Sequence, residues 1–181
     1  STEPRGCIEL SLAFEQIGGP SRARGRDALT LGCKANDRDA CAVLGSDYLW
    51  AHRRGPVGAA SPVDADRGVY FLERSCKLGS GASCASAGME LARGVDYEGR
   101  ELLRKDVPRG LALLERGCLL ADENACSTFA RLLMEGVSVP RDSKRAADAF
   151  RGMCARANAY GCVEYALLQL EGDGVPKDPA A

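Results

Sequence analysis

Apolar and small residues recur along the chain at helical spacing, in register with cysteine. Counting from Cys41, Cys84, Cys126 and Cys162, the third residue is Leu44, Ala87, Phe129 or Tyr165. The fourth is small, Gly45, Gly88, Ala130 or Ala166, and the seventh is Tyr48, Leu91, Leu133 or, as the exception, Gln169. Offsets of three, four and seven share one helix face, so each of these cysteines opens an amphipathic helix. A second periodic segment, such as RGVYFLERSC or RGLALLERGC, leads up to Cys33, Cys76, Cys118 and Cys154. Nine and eight residues before those cysteines stand Arg24-Gly25, Arg67-Gly68, Arg109-Gly110 and Arg145-Ala146.

The predicted unit is therefore a pair of helices joined by a loop, with Gly94, Gly136 and Gly172 placed where the first helix stops. The cysteines that close each unit recur at intervals of 43, 42 and 36 residues, the period of helical solenoids. Extra residues fall in the loops 55–62 and 95–107, where such an array takes insertions. One helix pair cannot bury its apolar stripe alone, so the units must stack.

Eight of the nine cysteines form four C-x7-C pairs: Cys33 with Cys41, Cys76 with Cys84, Cys118 with Cys126, Cys154 with Cys162. Structural zinc sites hold cysteines closer together and often add histidines. Here the only histidine is His52 and no C-x-x-C occurs, so no metal or cofactor is expected and four structural disulfides are the better reading. They imply an oxidising compartment. Each pair spans the end of one helix and the start of the next. A bond there needs Cα atoms roughly 4.4–6.8 Å apart, and the small residues Ala40, Ser83, Ala125 and Gly161 let the backbones approach.

Cys7 is followed by Leu10, Ser11 and Phe14 at offsets three, four and seven, as the second cysteine of a pair would be. Its partner would stand upstream of residue 1; the alternative is a free buried thiol. At the other end GDGVPKDPAA copies GVSVPRDSKR. The chain reads as part of a longer array, with repeats at about 1–36, 37–79, 80–121, 122–157 and an incomplete 158–181. STEPRGCIEL lacks the basic start and apolar stretch of a signal peptide, so a targeting segment is expected to lie outside this sequence. Twenty-four basic against 25 acidic residues give no net basic charge to draw nucleic acid. No apolar run is long enough to insert into a membrane.

The pattern A-C-x-x-L-G-x-x-Y, seen best in ACAVLGSDY from Ala40 to Tyr48, resembles Sel1-like repeats, relatives of the tetratricopeptide repeats. The glycine-valine-proline loop and the second helix ending in cysteine resemble them too. The C-x7-C decoration is similar to the disulfide-rich branch typified by the Helicobacter cysteine-rich proteins. The resemblance runs from Cys7 to about Asp178; Gln169 and the long second and third loops depart from it. It implies an all-α solenoid of antiparallel helix pairs, stapled by the C-x7-C disulfides and wound as a right-handed superhelix. It also implies an interaction scaffold, periplasmic or secreted, whose concave face is lined by first helices. Some members of that branch bind or slowly hydrolyse penicillin-like compounds, which makes a β-lactam-binding or weak β-lactamase protein the alternative reading.

The residues do not favour an enzyme. S-x-x-K, S-D-N and K-T-G are all missing from the chain, and a serine β-lactamase needs its nucleophile and base so spaced. His52, beside Arg53 and Arg54, reads as a solvated residue near a helix end, and no phosphate-binding glycine loop occurs. Catalytic residues are therefore expected to be none. If the first helices line a concave face, the offsets one, five, eight and nine after the second cysteine lie on it. They place Ser46, Trp50, Met89, Arg93, Arg131, Met134, Glu135 and Glu171 there, with Tyr160 two residues before Cys162. Trp, Met and Arg on one surface are the types that make hot spots and adaptable contacts for a peptide or protein ligand. Against this, Trp50 could pack into the loop after it and the arginines could form surface ion pairs. The charged insertion from Tyr97 to Asp106 suits a short extra helix that would extend the surface.

Overall fold

The computed structural model describes residues 8–9, 21–49, 62–97 and 99–178. Eight helices of more than one turn are described: α1 Ser21–Lys34, α2 Arg38–Leu49, α3 Pro62–Lys77, α4 Gly81–Arg93, α5 Val107–Leu119, α6 Glu123–Glu135, α7 Ser143–Ala155 and α8 Ala159–Glu171. Cys41, Cys84, Cys126 and Cys162 lie near the starts of α2, α4, α6 and α8, as the periodicity requires. The fold is an all-α solenoid of helix pairs. The described residues fall into two compact units, one within 1–83 and 94–104, the other within 84–93 and 105–181.

Every C-x7-C loop is built on one plan. The first helix of the loop overruns by about three residues and stops at a left-handed position, Asn36, Gly79, Ala121 or Ala157, with φ between 60° and 98°. The N–H of the next residue reaches back five positions, Asp37 to Gly32 O, Ser80 to Ser75 O, Asp122 to Gly117 O and Asn158 to Met153 O, at 3.0–3.1 Å. This is a Schellman stop, which satisfies carbonyls that a helix end leaves open. The same residue then caps the following helix: the Asp37, Ser80, Asp122 and Asn158 side chains accept from the N–H of Ala40, Ser83, Ala125 and Gly161. One residue thus ends one helix and begins the next, and the cysteines are left facing each other. Cα–Cα distances are 4.6 Å for Cys33–Cys41, 4.3 Å for Cys118–Cys126 and 4.4 Å for Cys154–Cys162; Cys76 and Cys84 are disulfide-bonded too. At Gly161 a Cβ would run into that of Met153, so only glycine admits this approach.

The small residues of the repeat meet in pairs. In the first unit α2 crosses α3 at Gly45 and Gly68: a Cβ on Gly45 would lie 2.9 Å from Gly68 O, and one on Gly68 would lie 2.6 Å from the Leu49 nitrogen. In the second unit Gly88 of α4 meets Gly110 of α5 in the same way, and Ala130 of α6 and Ala146 of α7 are both fully buried. Larger residues fill the space around these crossings. Leu29, Cys33, Ala40, Cys41 and Leu44 form one core cluster. In the second unit Leu114, Phe129, Leu133, Phe150, Met153 and Leu168 are joined by the alanines of α6 and α7.

The insertion after α4 departs from expectation. Where a short extra helix was expected, Val95–Tyr97 (β1) pairs antiparallel with Arg100–Leu103 (β2). Gly99, at φ 74°, makes the turn, and the Asp96 carboxylate accepts from its N–H at 3.0 Å. Leu102 and Leu103 are both buried, and β2 packs against α3. Positive φ at Gly99 ends any helical run there, and burial of the leucine pair holds the strand.

Candidate functional site

In the second unit a groove of about 300 Å³ runs along α6 to the start of α8. Its α6 wall is Glu123, Asn124, Ser127, Thr128 and Arg131, which at helical spacing occupy one face. Asn158 and Tyr160 close the other side, over Met153 of the core. Asn158 caps α8 through its amide oxygen, which leaves its two amide N–H donors to offer a ligand. Arg131 pairs with Glu135 one turn on, at 2.8 Å, an exposed pair that a ligand carboxylate can replace at small cost.

Within the groove, Tyr160 is the group whose titration its surroundings shift. Its ring stands edge-on to Phe150, with centroids 6.0 Å apart, and it is 49% exposed. Partial burial, then the Glu164 carboxylate, pushes the phenol above its ordinary pKa, against a weaker opposing pull from Arg131. The hydroxyl therefore stays a hydrogen-bond donor throughout the physiological range.

The structure brings three of the expected site residues together: Arg131 and Tyr160 line the groove, and Glu135 is tied to Arg131. Met89 and Met134 are half-buried and pack against the second unit's core, at the edge of the surface. Arg93 and Glu171 are exposed at the ends of α4 and α8, and Ser46 is half-buried in α2. Trp50, Cys7 and His52 lie outside the described residues. Glu123, Asn124, Ser127, Thr128 and Glu164 were not anticipated. Ser127 stands one residue after Cys126, an offset the concave-face rule already contained; the others look from sequence like an ordinary solvated helix start.

No helix among the described residues is long and apolar enough to cross a membrane. Four disulfides in so short a chain indicate an oxidising, extracytoplasmic environment.

No curated protein sequence matches the chain. Among solved structures, it is similar in fold to c5321, a protective antigen present in uropathogenic Escherichia coli strains that displays an SLR fold. The TM-score is 0.67 and the identity 16%, over 97% of this chain and 35% of that one. It is likewise similar to a Sel1 repeat protein from Oxalobacter formigenes, with TM-score 0.64 and 13% identity, over 97% of this chain and 66% of that one. The chain thus spans about a third of the first relative and just under two thirds of the second. Its sequence matches the Sel1 repeat at residues 38–80, 87–122, 129–148 and 159–181, well over half its length. With the repeat carried in sequence and the fold shared with these structures, the chain belongs to the Sel1 repeat family, whose solenoids are typical protein-interaction scaffolds.

Proposed function

We propose that the protein is a non-catalytic scaffold that holds a peptide or protein segment in the groove along α6 and α8, and that it works in a periplasm or as a secreted protein. The observation that carries this reading is the pairing of a polar helix face, Asn124 to Arg131, with the half-exposed Tyr160 ring across a mostly polar groove over Met153. Tyr160 supplies ring area at low entropic cost and a fixed donor, and Arg131 supplies a charge that can change partners. Aromatic and arginine side chains of this kind carry most of the energy in protein interfaces. Met89 and Met134 offer adaptable apolar edges, and Arg93 and Glu171 are further contacts in this proposal; Ser46 and Trp50 are proposed as contact residues on repeat register alone. Fold alone does not fix a partner; the chemistry favoured is a segment that presents a carboxylate to Arg131 and an acceptor to Tyr160.

The test is a cross-linking pull-down from the native envelope or secreted fraction, comparing wild type with a folded Arg131→Glu, Tyr160→Ala double variant. A partner captured by wild type and lost by the variant supports the groove. Capture of the same partner by both moves the site elsewhere on the surface.

A further inference from the structure

A second cavity, of about 370 Å³, opens between α5 and α7 and shares no lining residue with the groove. Its apolar surface comes from Phe129, Ala149, the Cys118 end of a disulfide and Leu119. Phe129 and Ala149 are buried, whereas Leu119 stands 83% exposed at the rim. At the rim its side chain supplies one apolar wall of the cleft.

Of the four charged residues that line the cleft, Glu115, Arg145, Asp148 and Arg156, three are already paired. Arg145 is bonded to Glu115 at 2.7 Å, with its guanidinium 5.1 Å from the centre of the Phe129 ring. Asp148 is bonded to Arg151 at 2.7 Å. Arg156 lies over Gly152, where a Cβ would come 3.6 Å from its Nη1, and its Nη2 donates to the Cys126 sulfur at 3.5 Å. Among the described residues no carboxylate pairs with it. Arg156 is therefore the lining charge whose only side-chain partner is a sulfur, and it stands beside Phe129 and Ala149. Sulfur is a weak acceptor, so an incoming oxyanion gains nearly the full charge-assisted interaction.

The geometry points to a binding site for a peptide C-terminus ending in an apolar residue: the terminal side chain on Phe129, Ala149 and Leu119, the free carboxylate on Arg156. The two flanking carboxylates, Glu115 and Asp148, disfavour a dianion such as phosphate and suit a monoanion whose own backbone N–H groups they can accept. The cavity is at the small end of ligand sites, enough for a terminal residue and part of its neighbour. This surface is separate from the α6–α8 groove.

The experiment titrates the intact, oxidised protein with acetyl-Ala-Ala-Phe bearing a free carboxylate, with its C-terminal amide, and with N-acetylphenylalanine, followed by calorimetry. The acid is expected to saturate, and the amide to bind roughly tenfold more weakly or worse, as loss of a hydrogen bond to a charged group predicts. Arg156→Gln should bring the acid down to the amide, Arg156→Lys should restore part of the difference, and Leu119→Asp should weaken both peptides. These positions are exposed, so the variants should keep the wild-type circular dichroism and melting profile. Arg131→Glu, in the groove, should bind the acid like wild type, so failure of one site leaves the other standing. Equal binding of acid and amide, indifference to Arg156→Gln, or no saturable binding would overturn the site. Equal affinity for N-acetylphenylalanine and the tripeptide would overturn the peptide assignment.

Discussion

Gly88 and Gly110 cross with no room between them: a Cβ added to Gly110 would lie 2.7 Å from Gly88 O and 2.8 Å from the Ala92 nitrogen. The obstacles are backbone atoms, which cannot swing aside. Gly110→Ala should therefore push α4 and α5 apart and lower stability by about 1–3 kcal/mol, the usual cost of overpacking, read as an earlier midpoint in urea. Ala146→Gly, at the same register, should cost less, since the alanine pair there already fits. Equal effects at the two positions would mean that the crossing is softer than its geometry.

The four loop disulfides should leave about one thiol or none for alkylation in denaturant without reductant, the one being Cys7. Eight or nine trapped thiols would remove both the staples and the oxidising compartment. Each bond closes a short loop worth about 2–3 kcal/mol on the chain-entropy account. Reduction should thus lower the melting temperature far more than replacement of any single pair by alanine.

Ala121 and Ala157 sit at φ 64° and 60°, where a Cβ crowds the backbone. The equivalent residue in another loop is Gly79. Ala121→Gly and Ala157→Gly should each stabilise by about 0.5–1 kcal/mol, the relief of strain less the added freedom of the unfolded chain. In a chain of this length that is a rise of roughly 1–4 °C in melting temperature. A fall would mean that the strain has already been relaxed elsewhere in the loop.

Tyr160 should titrate above the usual phenol range of about 10 when followed by its absorbance in the near ultraviolet. Burial raises its pKa, Glu164 raises it further and Arg131 lowers it. Glu164→Gln should bring the midpoint down and Arg131→Gln should push it up. Because the folded state holds this proton more tightly than the unfolded chain, stability is intact below about pH 10 and falls as pH rises from there through the folded-state value. A midpoint unmoved by both substitutions would separate these three residues and break up the groove.

The helix pairs, the cysteine staples and the stops at Gly94, Gly136 and Gly172 were legible because each is local: periodicity, a nine-residue loop and a glycine announce themselves within a few positions. The small residues were legible as a pattern but not as a contact. Gly45 and Gly68 sit on different helices across a loop, and no spacing rule says that one repeat position exists to receive the other. The hairpin at 95–103 was misread because adjacent leucines beside charges look helical; the decision rests on Gly99 and on burial against α3. Most of the groove was missed for a related reason. Asn124 and Thr128 are unremarkable on a lone helix, and they become a wall only when Tyr160 from the next pair stands opposite.

The N–H of Asp106 donates to Leu91 O at 2.8 Å, that of Asp142 to Leu133 O at 3.1 Å and that of Asp178 to Gln169 O at 2.8 Å. Asp106 and Asp142 are the caps on which α5 and α7 begin. The anchor is a main-chain carbonyl seven residues after Cys84, Cys126 and Cys162, so it survives where leucine gives way to glutamine at position 169. The departing loop is consequently a jig: it fixes the origin and bearing of a helix from one backbone hydrogen bond and the aspartate that caps it, whatever other side chains that helix carries. Repeats joined in this way can diverge freely on their surfaces, or be gained and lost as whole units, without renegotiating the angle at which the next one sets out.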